Sequence, residues 1–289
     1  MYFFFTINDF EKDGGGTIRM LGILNSLAEN GEGVTLISNA KSLKCFHPSI
    51  KHIFLGISFL KKKKRIFQFM LALFPNFINK FIFKDSLSVI RLIIDNNVKC
   101  NTPIIFFEYL DTSIALFLKK QKIIEKYIFD VHGSARLEFL NKNPDSILLK
   151  SLFFCKYLVA SILDKKIYMN ATSIIFLSES MKTYFEEYYN FITSYNNIVI
   201  RDAVSKNFGQ NLINHEIVNK YRKALKIFPN DNVILFAGSF KSSGGVIDLV
   251  KSFHLLKCRN KIFNLKLLLL GDGECYDKVL KFIKMNSLE

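Results

Sequence analysis

Residues 2–38 read YFFFTINDFEKDGGGTIRMLGILNSLAENGEGVTLIS, and this stretch predicts the fold class. Tyr2–Asn8 is an apolar, aromatic run typical of a buried strand. A glycine loop at Gly14–Gly16 precedes a predicted helix over Thr17–Glu29, and Val34–Ser38 is a second apolar strand. Strand, helix and strand in this order predict a βαβ unit with parallel strands and a right-handed crossover. The helix is expected to turn four apolar side chains toward the sheet: Ile18, Leu21, Leu24 and Leu27.

The same alternation continues along the chain. Four further apolar runs predict strands, and polar or glycine residues follow each of them: Ile104–Phe107, Tyr127–Val131, Ser173–Leu177 and Ile198–Ile200. Open α/β sheets bind ligands at the carboxyl ends of their strands. A ligand site is therefore expected where these runs end.

A second, shorter series begins after a polar break. We predict a helix over His215–Lys226, then strands at Val233–Ala237 and Leu265–Leu270, each followed by a glycine-containing loop and a helix. The predicted organisation is an N-terminal domain over 1–204, a linker and connecting helix over 205–231, and a C-terminal domain over 232–289. Two parallel strands bury little core. The last domain is therefore expected to be incomplete, or to pack on the first.

Composition narrows the class of protein. Hydrophobic residues make up 49% and charged residues 22%, which is a globular composition, and the net charge of +15 favours a polyanionic partner. The five cysteines contain no Cys-x-x-Cys pair, which argues against a zinc site or a disulfide framework and for a reducing compartment.

No signal peptide is expected, because acidic residues follow the apolar start at once. Ile147–Leu163 is too short and too charged for a predicted transmembrane span.

One cationic run adjoins an apolar run. Its residues are Lys61, Lys62, Lys63, Lys64 and Arg65, and IFQFML follows. An anionic membrane surface would attract such cations and admit the apolar side chains at its headgroup boundary. A solvated helix end is the simpler alternative. Nucleic-acid binding is not expected, because no helix-turn-helix, RNP or zinc-finger spacing is present.

Four segments together resemble the retaining nucleotide-sugar glycosyltransferases of family 4 (group 1), which have the GT-B fold. They are the glycine loop Gly14–Gly16, the motif Asp130-Val131-His132-Gly133, the strand and loop over Ile174–Ser180 followed by Asn197–Phe208, and the run Ile234–Gly273. Their order and spacing extend over the whole chain.

The resemblance implies an α/β, GT-B-like fold, with a complete N-terminal Rossmann-like domain that binds the acceptor. The first two βα units of a second such domain would bind the donor. It implies transfer of a hexose, with retention and without metal or cofactor, from a UDP- or GDP-linked sugar to a glycan or lipid-linked acceptor. The setting would be surface polysaccharide or lipopolysaccharide biosynthesis, at the cytoplasmic face of the membrane. The implied site residues are His132 beside the sugar, Gly14, Gly15 and Gly16 at the acceptor, and Gly238, Ser239, Lys241, Gly245, Gly271 and Asp272 at the donor.

The sequence departs from the family pattern at several positions. Ser239 stands where the family has an arginine and Gly244 where it has a lysine; Lys241 is a nearby substitute. Asp202 replaces an asparagine of the segment that joins the domains. The family's glutamate pair would lie beyond Glu289, so we expect a C-terminally truncated form. A non-catalytic remnant that binds a membrane surface or a partner protein therefore remains an alternative to an active transferase.

Simpler interpretations of the motifs also stay open. Gly14–Gly16 and Gly271–Gly273 could be plain turns, and His132 an ordinary histidine at a strand end. A dinucleotide-binding loop is disfavoured, because Arg19 occupies its last glycine position and Ser38 and Asn39, not an acid, end the second strand.

Overall fold

The computed structural model describes residues 1–7, 10, 15–41, 46–57, 78, 81–99, 101–107, 111–140, 146–190, 196–202, 214–260 and 264–288. Within these residues the chain forms two compact units. The described residues up to 202 belong to the first unit and those from 214 onward to the second.

The first unit is built on a seven-stranded sheet. All of its neighbouring strands are parallel, and their order is β3-β2-β1-β4-β5-β6-β7. The α/β class predicted from the sequence is confirmed. The strands are β1 (Tyr2–Phe5), β2 (Val34–Ser38), β3 (Lys51–Phe54), β4 (Ile104–Phe106), β5 (Tyr127–Val131), β6 (Ser173–Phe176) and β7 (Ile198–Val199).

Helices follow most of these strands, as βα crossovers require. In the described part of the first unit they are α1 (Gly15–Glu29), α2 (Lys84–Asn97), α3 (Asp111–Lys120), α4 (Ala135–Leu140), α5 (Ile147–Asn170) and α6 (Glu179–Tyr188).

The apolar strands are buried on both faces of the sheet. In β1, Phe3 and Phe5 belong to one buried cluster, whereas Phe4 belongs to a second cluster on the opposite face. This alternation follows from the two-residue period of a strand. Phe4 also stacks on Phe107, with ring centroids 5.1 Å apart. Each fully buried phenylalanine stabilises the fold by roughly 1.5–3 kcal/mol, so the central strands fix the sheet.

The predicted inner face of α1 is wrong in part. Leu24 is buried as predicted and Leu27 packs half-buried against the core, but Ile18 is 61% exposed. The buried positions are the following: Thr17, Arg19, Met20, Leu24 and Ala28. Thr17, Met20, Leu24 and Ala28 repeat every three or four residues, so they also form one helical face. This face points in the predicted direction; Arg19 lies on another side of the helix and is nevertheless buried.

The second unit contains two parallel strands, β8 (Asn232–Ala237) and β9 (Leu265–Leu270), paired from Asn232 with Leu265 to Ala237 with Leu270. Its helices are α7 (His215–Ala224), α8 (Val246–Asn260) and α9 (Tyr276–Met285), with a 3-10 turn at Ser242–Gly244. Its buried core is small: Phe240, Val246, Val250, Cys275 and Val279. Much of β8 is exposed, Leu235 to 59%.

Candidate functional site

The strand order of the first sheet reverses at β1. β1 lies between β2 and β4, so the chain leaves β1 toward one side of the sheet and returns on the other. This reversal of strand order is where open α/β sheets open a ligand-binding crevice. Gly15 and Gly16 begin the helix after β1, His132 follows β5, and Asp202 lies just after β7.

A buried arginine joins these segments. The Arg19 guanidinium donates from Nε to Oδ2 of Asp130 (2.9 Å) and from Nη2 to Oδ1 of the same carboxylate (2.8 Å). Its Nη1 donates to Oδ1 of Asp202 at 2.7 Å. The Arg19 side chain is 4% exposed and that of Asp130 is fully buried, whereas that of Asp202 is 64% exposed. The fork of Arg19 therefore satisfies one buried and one surface carboxylate.

The charge of Arg19 is strongly held. Burial alone would lower the pKa of its guanidinium, but the hydrogen bonds and charges of Asp130, and then of Asp202, raise it above the ordinary value. A bidentate arginine–carboxylate pair also has a fixed geometry. Arg19 therefore positions Asp130 while remaining a permanent cation.

Asp130 in turn orients His132. Nε2 of His132 lies 3.0 Å from Oδ2 of Asp130. An ionised carboxylate only accepts hydrogen bonds, so this contact assigns the proton of a neutral imidazole to Nε2 and leaves Nδ1 as the acceptor. The His132 side chain is 21% exposed. In its neutral form, His132 presents a hydrogen-bond acceptor at the carboxyl edge of the sheet.

Nδ1 of His132 lies beside the start of α1, where Gly15 and Gly16 have no side chains. A Cβ atom added to Gly16 would lie 3.1 Å from Nδ1 of His132, while one added to Gly15 would meet nothing within 4 Å. The structure thus brings together the predicted residues Gly15, Gly16 and His132. A ligand hydroxyl could approach both the helix start and the imidazole there. The predicted Gly14 and the cationic run Lys61–Arg65 lie outside the described residues.

Sequence reasoning missed part of this cluster. Arg19 served only to disfavour a dinucleotide loop, and Asp202 only as a departure from the family pattern. Arg19 does not lie on the apolar face of α1, so the helical pattern carries no signal that this charged residue is buried. Its partners are 111 and 183 positions away, which no local pattern indicates.

The predicted donor residues of the second unit lie in two adjacent loops. The amide of Gly238 donates to Leu270 O (2.9 Å), and that of Phe240 to Asp272 O (2.9 Å). Gly245 adopts a left-handed conformation (φ +73°) at the start of α8. The structure thereby brings the loop with Gly238, Ser239 and Lys241 beside the loop with Gly271 and Asp272.

The Glu274 carboxylate bonds to Ser242, in the 3-10 turn that follows the first of these loops. Oε1 of Glu274 accepts from the Ser242 amide (3.1 Å) and from the Ser242 hydroxyl (3.0 Å). Sequence reasoning did not single out either residue. Backbone amides at the start of a helical turn are the groups that bind phosphate elsewhere, so Glu274 occupies a position that an anionic ligand could also use.

Neither a metal cluster nor a membrane-spanning helix is found in the part of the chain that the structure describes. Among the described residues, no group of three or more His, Cys, Asp or Glu side chains could hold a metal ion. No helix in the described part of the chain has the length and apolar character needed to cross a bilayer.

Solved structures identify the fold. A glycosyltransferase from Rickettsia africae superposes with a TM-score of 0.61 at 18% identity, covering 99% of this chain and 66% of its own. WaaG, a glycosyltransferase involved in lipopolysaccharide biosynthesis, gives 0.56 at 11% identity, with 99% and 68% covered. The chain has the GT-B fold. A UDP-forming α,α-trehalose-phosphate synthase from Burkholderia vietnamiensis gives a TM-score of 0.59 at 11% identity, with 99% and 68% covered.

The GT-B assignment rests on structure and not on sequence. No protein-family model matches the sequence, and no curated protein does. The chain covers about two thirds of the length of these GT-B structures. Identities of 11–18% define the shared fold, and the chemistry has to be argued from the residues of this chain.

Proposed function

We propose that this protein is a glycosyltransferase that moves a hexose from a nucleotide sugar to a glycan or lipid-linked acceptor. The observation that supports it most directly is the position of the His132 imidazole beside the glycine helix start: a Cβ atom added to Gly16 would lie 3.1 Å from Nδ1. These residues lie at the carboxyl edge of a GT-B Rossmann-like sheet. The similarity to a lipopolysaccharide enzyme favours surface polysaccharide or lipopolysaccharide synthesis as the setting.

The two units have separate roles in this proposal. The first unit, proposed as a domain over 1–204, holds the acceptor, with Gly14, Gly15 and Gly16 beside it and His132 hydrogen-bonded to a sugar hydroxyl. The second, over 232–289, holds the donor at Gly238, Ser239, Lys241, Gly245, Gly271 and Asp272, and 205–231 links them. Lys241 meets the charge that develops on the leaving diphosphate, in a retaining reaction without metal or cofactor.

Location follows from the acceptor. A lipid-linked acceptor lies in a membrane, so we propose a cytoplasmic protein held at the inner membrane face. The Lys61–Arg65 run would be attracted to anionic headgroups. No nucleic-acid partner is proposed.

The alternative is a non-catalytic remnant that binds a membrane surface or a partner protein. One contact favours it: the Glu274 carboxylate binds the Ser242 amide and hydroxyl, where a diphosphate would otherwise find donors. Ser239 and Gly244 also supply no cation there. Donor binding distinguishes the two candidates.

Nucleotide titration tests the donor site. We expect UDP or GDP to release heat in isothermal titration, and Lys241→Ala to weaken binding about tenfold, because a charge-assisted hydrogen bond to phosphate contributes roughly 1.5–3 kcal/mol. Lys251→Ala is the matched control, since Lys251 is an exposed lysine of α8 in the same unit. No heat at millimolar nucleotide would refute the donor assignment and favour the remnant.

Substitution of His132 tests the acceptor site. We expect His132→Ala to slow release of nucleoside diphosphate from the donor about tenfold, in the presence of extracted lipid-linked glycans, because a sugar hydroxyl loses its hydrogen-bond partner. Gly16→Ala is expected to act in the same direction, since the methyl group would displace the imidazole. His215→Ala, at an exposed histidine of the second unit, should leave the rate unchanged. Equal rates in all four proteins would remove His132 from the site.

A further inference from the structure

A cavity is lined by residues of α2 and of the end of α3, and the candidate transfer site makes no use of it. Its volume is about 520 Å³, and small-molecule sites occupy about 300–1,000 Å³. Gln121 and Ile123, which line it, lie in the turn that leads into the amino end of β5, whereas His132 follows the carboxyl end of that strand. The cavity is therefore separate from the site around His132.

The inner wall of the cavity is apolar. Leu87 and Phe117 are buried members of the main core of the first unit, and Ile123 packs against that core. Phe81 also lines the cavity, yet 87% of its surface is exposed. An exposed aromatic ring beside an apolar wall can enclose the apolar body of a ligand.

Two cations and two neutral polar side chains complete the lining. Lys84, Ser88 and Arg91 share one face of α2, and Gln121 follows α3. None of the described lining residues is acidic. Among the described residues, the side chains of Lys84, Ser88 and Gln121 make no hydrogen bond or ion pair. Arg91 pairs with Asp95 at 3.3 Å, where both side chains are exposed. The cavity therefore offers positive charge and hydrogen-bond donors that the core does not use.

We propose that this cavity binds a small amphiphilic anion, a molecule with an aliphatic or aromatic body and one carboxylate or phosphate group. The body would contact Leu87, Phe117 and Phe81. Lys84 and Arg91 would meet the negative charge, since hydrogen bonds between ionised groups are the strong ones. A neutral apolar ligand would leave these cations without a partner, and a hydrophilic anion would leave the apolar wall in water. The site is additional to the proposed transferase function and does not depend on it.

An introduced tryptophan reports on the cavity, because the chain contains none. Phe81→Trp keeps an aromatic ring at an exposed position, so the fold should tolerate the change. We expect the fluorescence of the new indole to shift to the blue, and to saturate, as decanoate or decyl phosphate is added to the whole protein. Decanol has the same chain length and no charge, and it should need an at least about tenfold higher concentration. The anion with the lower half-saturating concentration identifies the preferred head group.

Charge removal in the Phe81→Trp protein tests the two cations. Lys84→Ala/Arg91→Ala should raise the half-saturating concentration of decanoate about tenfold, because both exposed cations contribute to binding the head group. Lys51→Ala is the matched control at an exposed lysine of β3 and should leave that concentration unchanged. Phe54→Trp, made in the native sequence, controls for general adsorption: this position is 50% exposed on β3, and its indole should not respond.

Several results would overturn the proposal. The absence of a shift with either anion would show that the cavity binds neither, and equal half-saturation by decanol would show that the cations play no part. A shift that the double variant leaves unchanged, or that Phe54→Trp shares, would place the binding elsewhere. None of these measurements involves a nucleotide or sugar transfer, so a negative result here leaves the transferase proposal to its own tests.

Discussion

Arg19→Ala is expected to lower the free energy of unfolding of the first unit by about 3–5 kcal/mol, the usual cost of removing one partner from a buried ion pair. The reason is Asp130, which is fully buried and receives two hydrogen bonds from Arg19. Without the guanidinium, its charge stays in the interior, and His132 is its one remaining side-chain partner among the described residues. Urea denaturation followed by circular dichroism at neutral pH measures the change.

Two control variants distinguish the effect of burying the ion pair from the effect of simply removing a charge. Arg91→Ala removes another arginine–carboxylate pair, with Asp95, but those side chains are 65% and 50% exposed, so we expect a loss below about 0.5 kcal/mol. Arg19→Lys should recover only part of the stability, because an ammonium cannot match both carboxylate oxygens. Equal effects of Arg19→Ala and Arg91→Ala would mean that the Arg19 network does not stabilise the unit.

The strands were predictable because the sheet is buried on both faces. Buried parallel strands form continuous apolar runs, and the predictions for β2 and β5 match the observed bounds. The bounds of β9 also match, on its apolar sequence alone, because most of its residues are only half-buried. β3 was missed because it is an edge strand whose residues, Lys51–Phe54, are only half-buried or exposed. α5 had no helical periodicity to detect, since its apolar residues cover all sides.

Only those residues of the candidate site that belong to a recognisable local motif were predictable. Gly15, Gly16 and His132 were selected from local motifs, and the fold brings them together. Asp202 could not be connected to them, because its contact with Arg19 depends on how seven strands are ordered. Glu274 could not be found either, since its contact with Ser242 arises from the pairing of β8 with β9. Long-range polar contacts depend on the topology, which local patterns do not specify.

The pairing of the two donor loops leads to a second large expected effect, at Gly271. A Cβ atom at this position would lie 1.9 Å from Gly238 O and 2.9 Å from the Phe240 ring, and its φ of +156° suits glycine alone. The loops cannot separate to relieve the clash without breaking the hydrogen bond from the Gly238 amide to Leu270 O. Since the core of this unit is small, its free energy of unfolding is expected to be small compared with the strain.

We therefore expect Gly271→Ala to destabilise the second unit by about 3 kcal/mol or more, the sum of backbone strain and overpacking. Hydrogen exchange measured by mass spectrometry assigns the effect to a unit: amides of β8 and β9 should exchange faster, while those of β1 and β4 keep their protection. Gly238→Ala is the matched control in the facing loop, because its Cβ would meet only the Phe236 ring, at 3.7 Å. Equal protection in both variants would show that the loops adapt freely. In that case the position of Lys241 and Asp272 would not depend on this close backbone contact, and the donor site proposed here would have no rigid support.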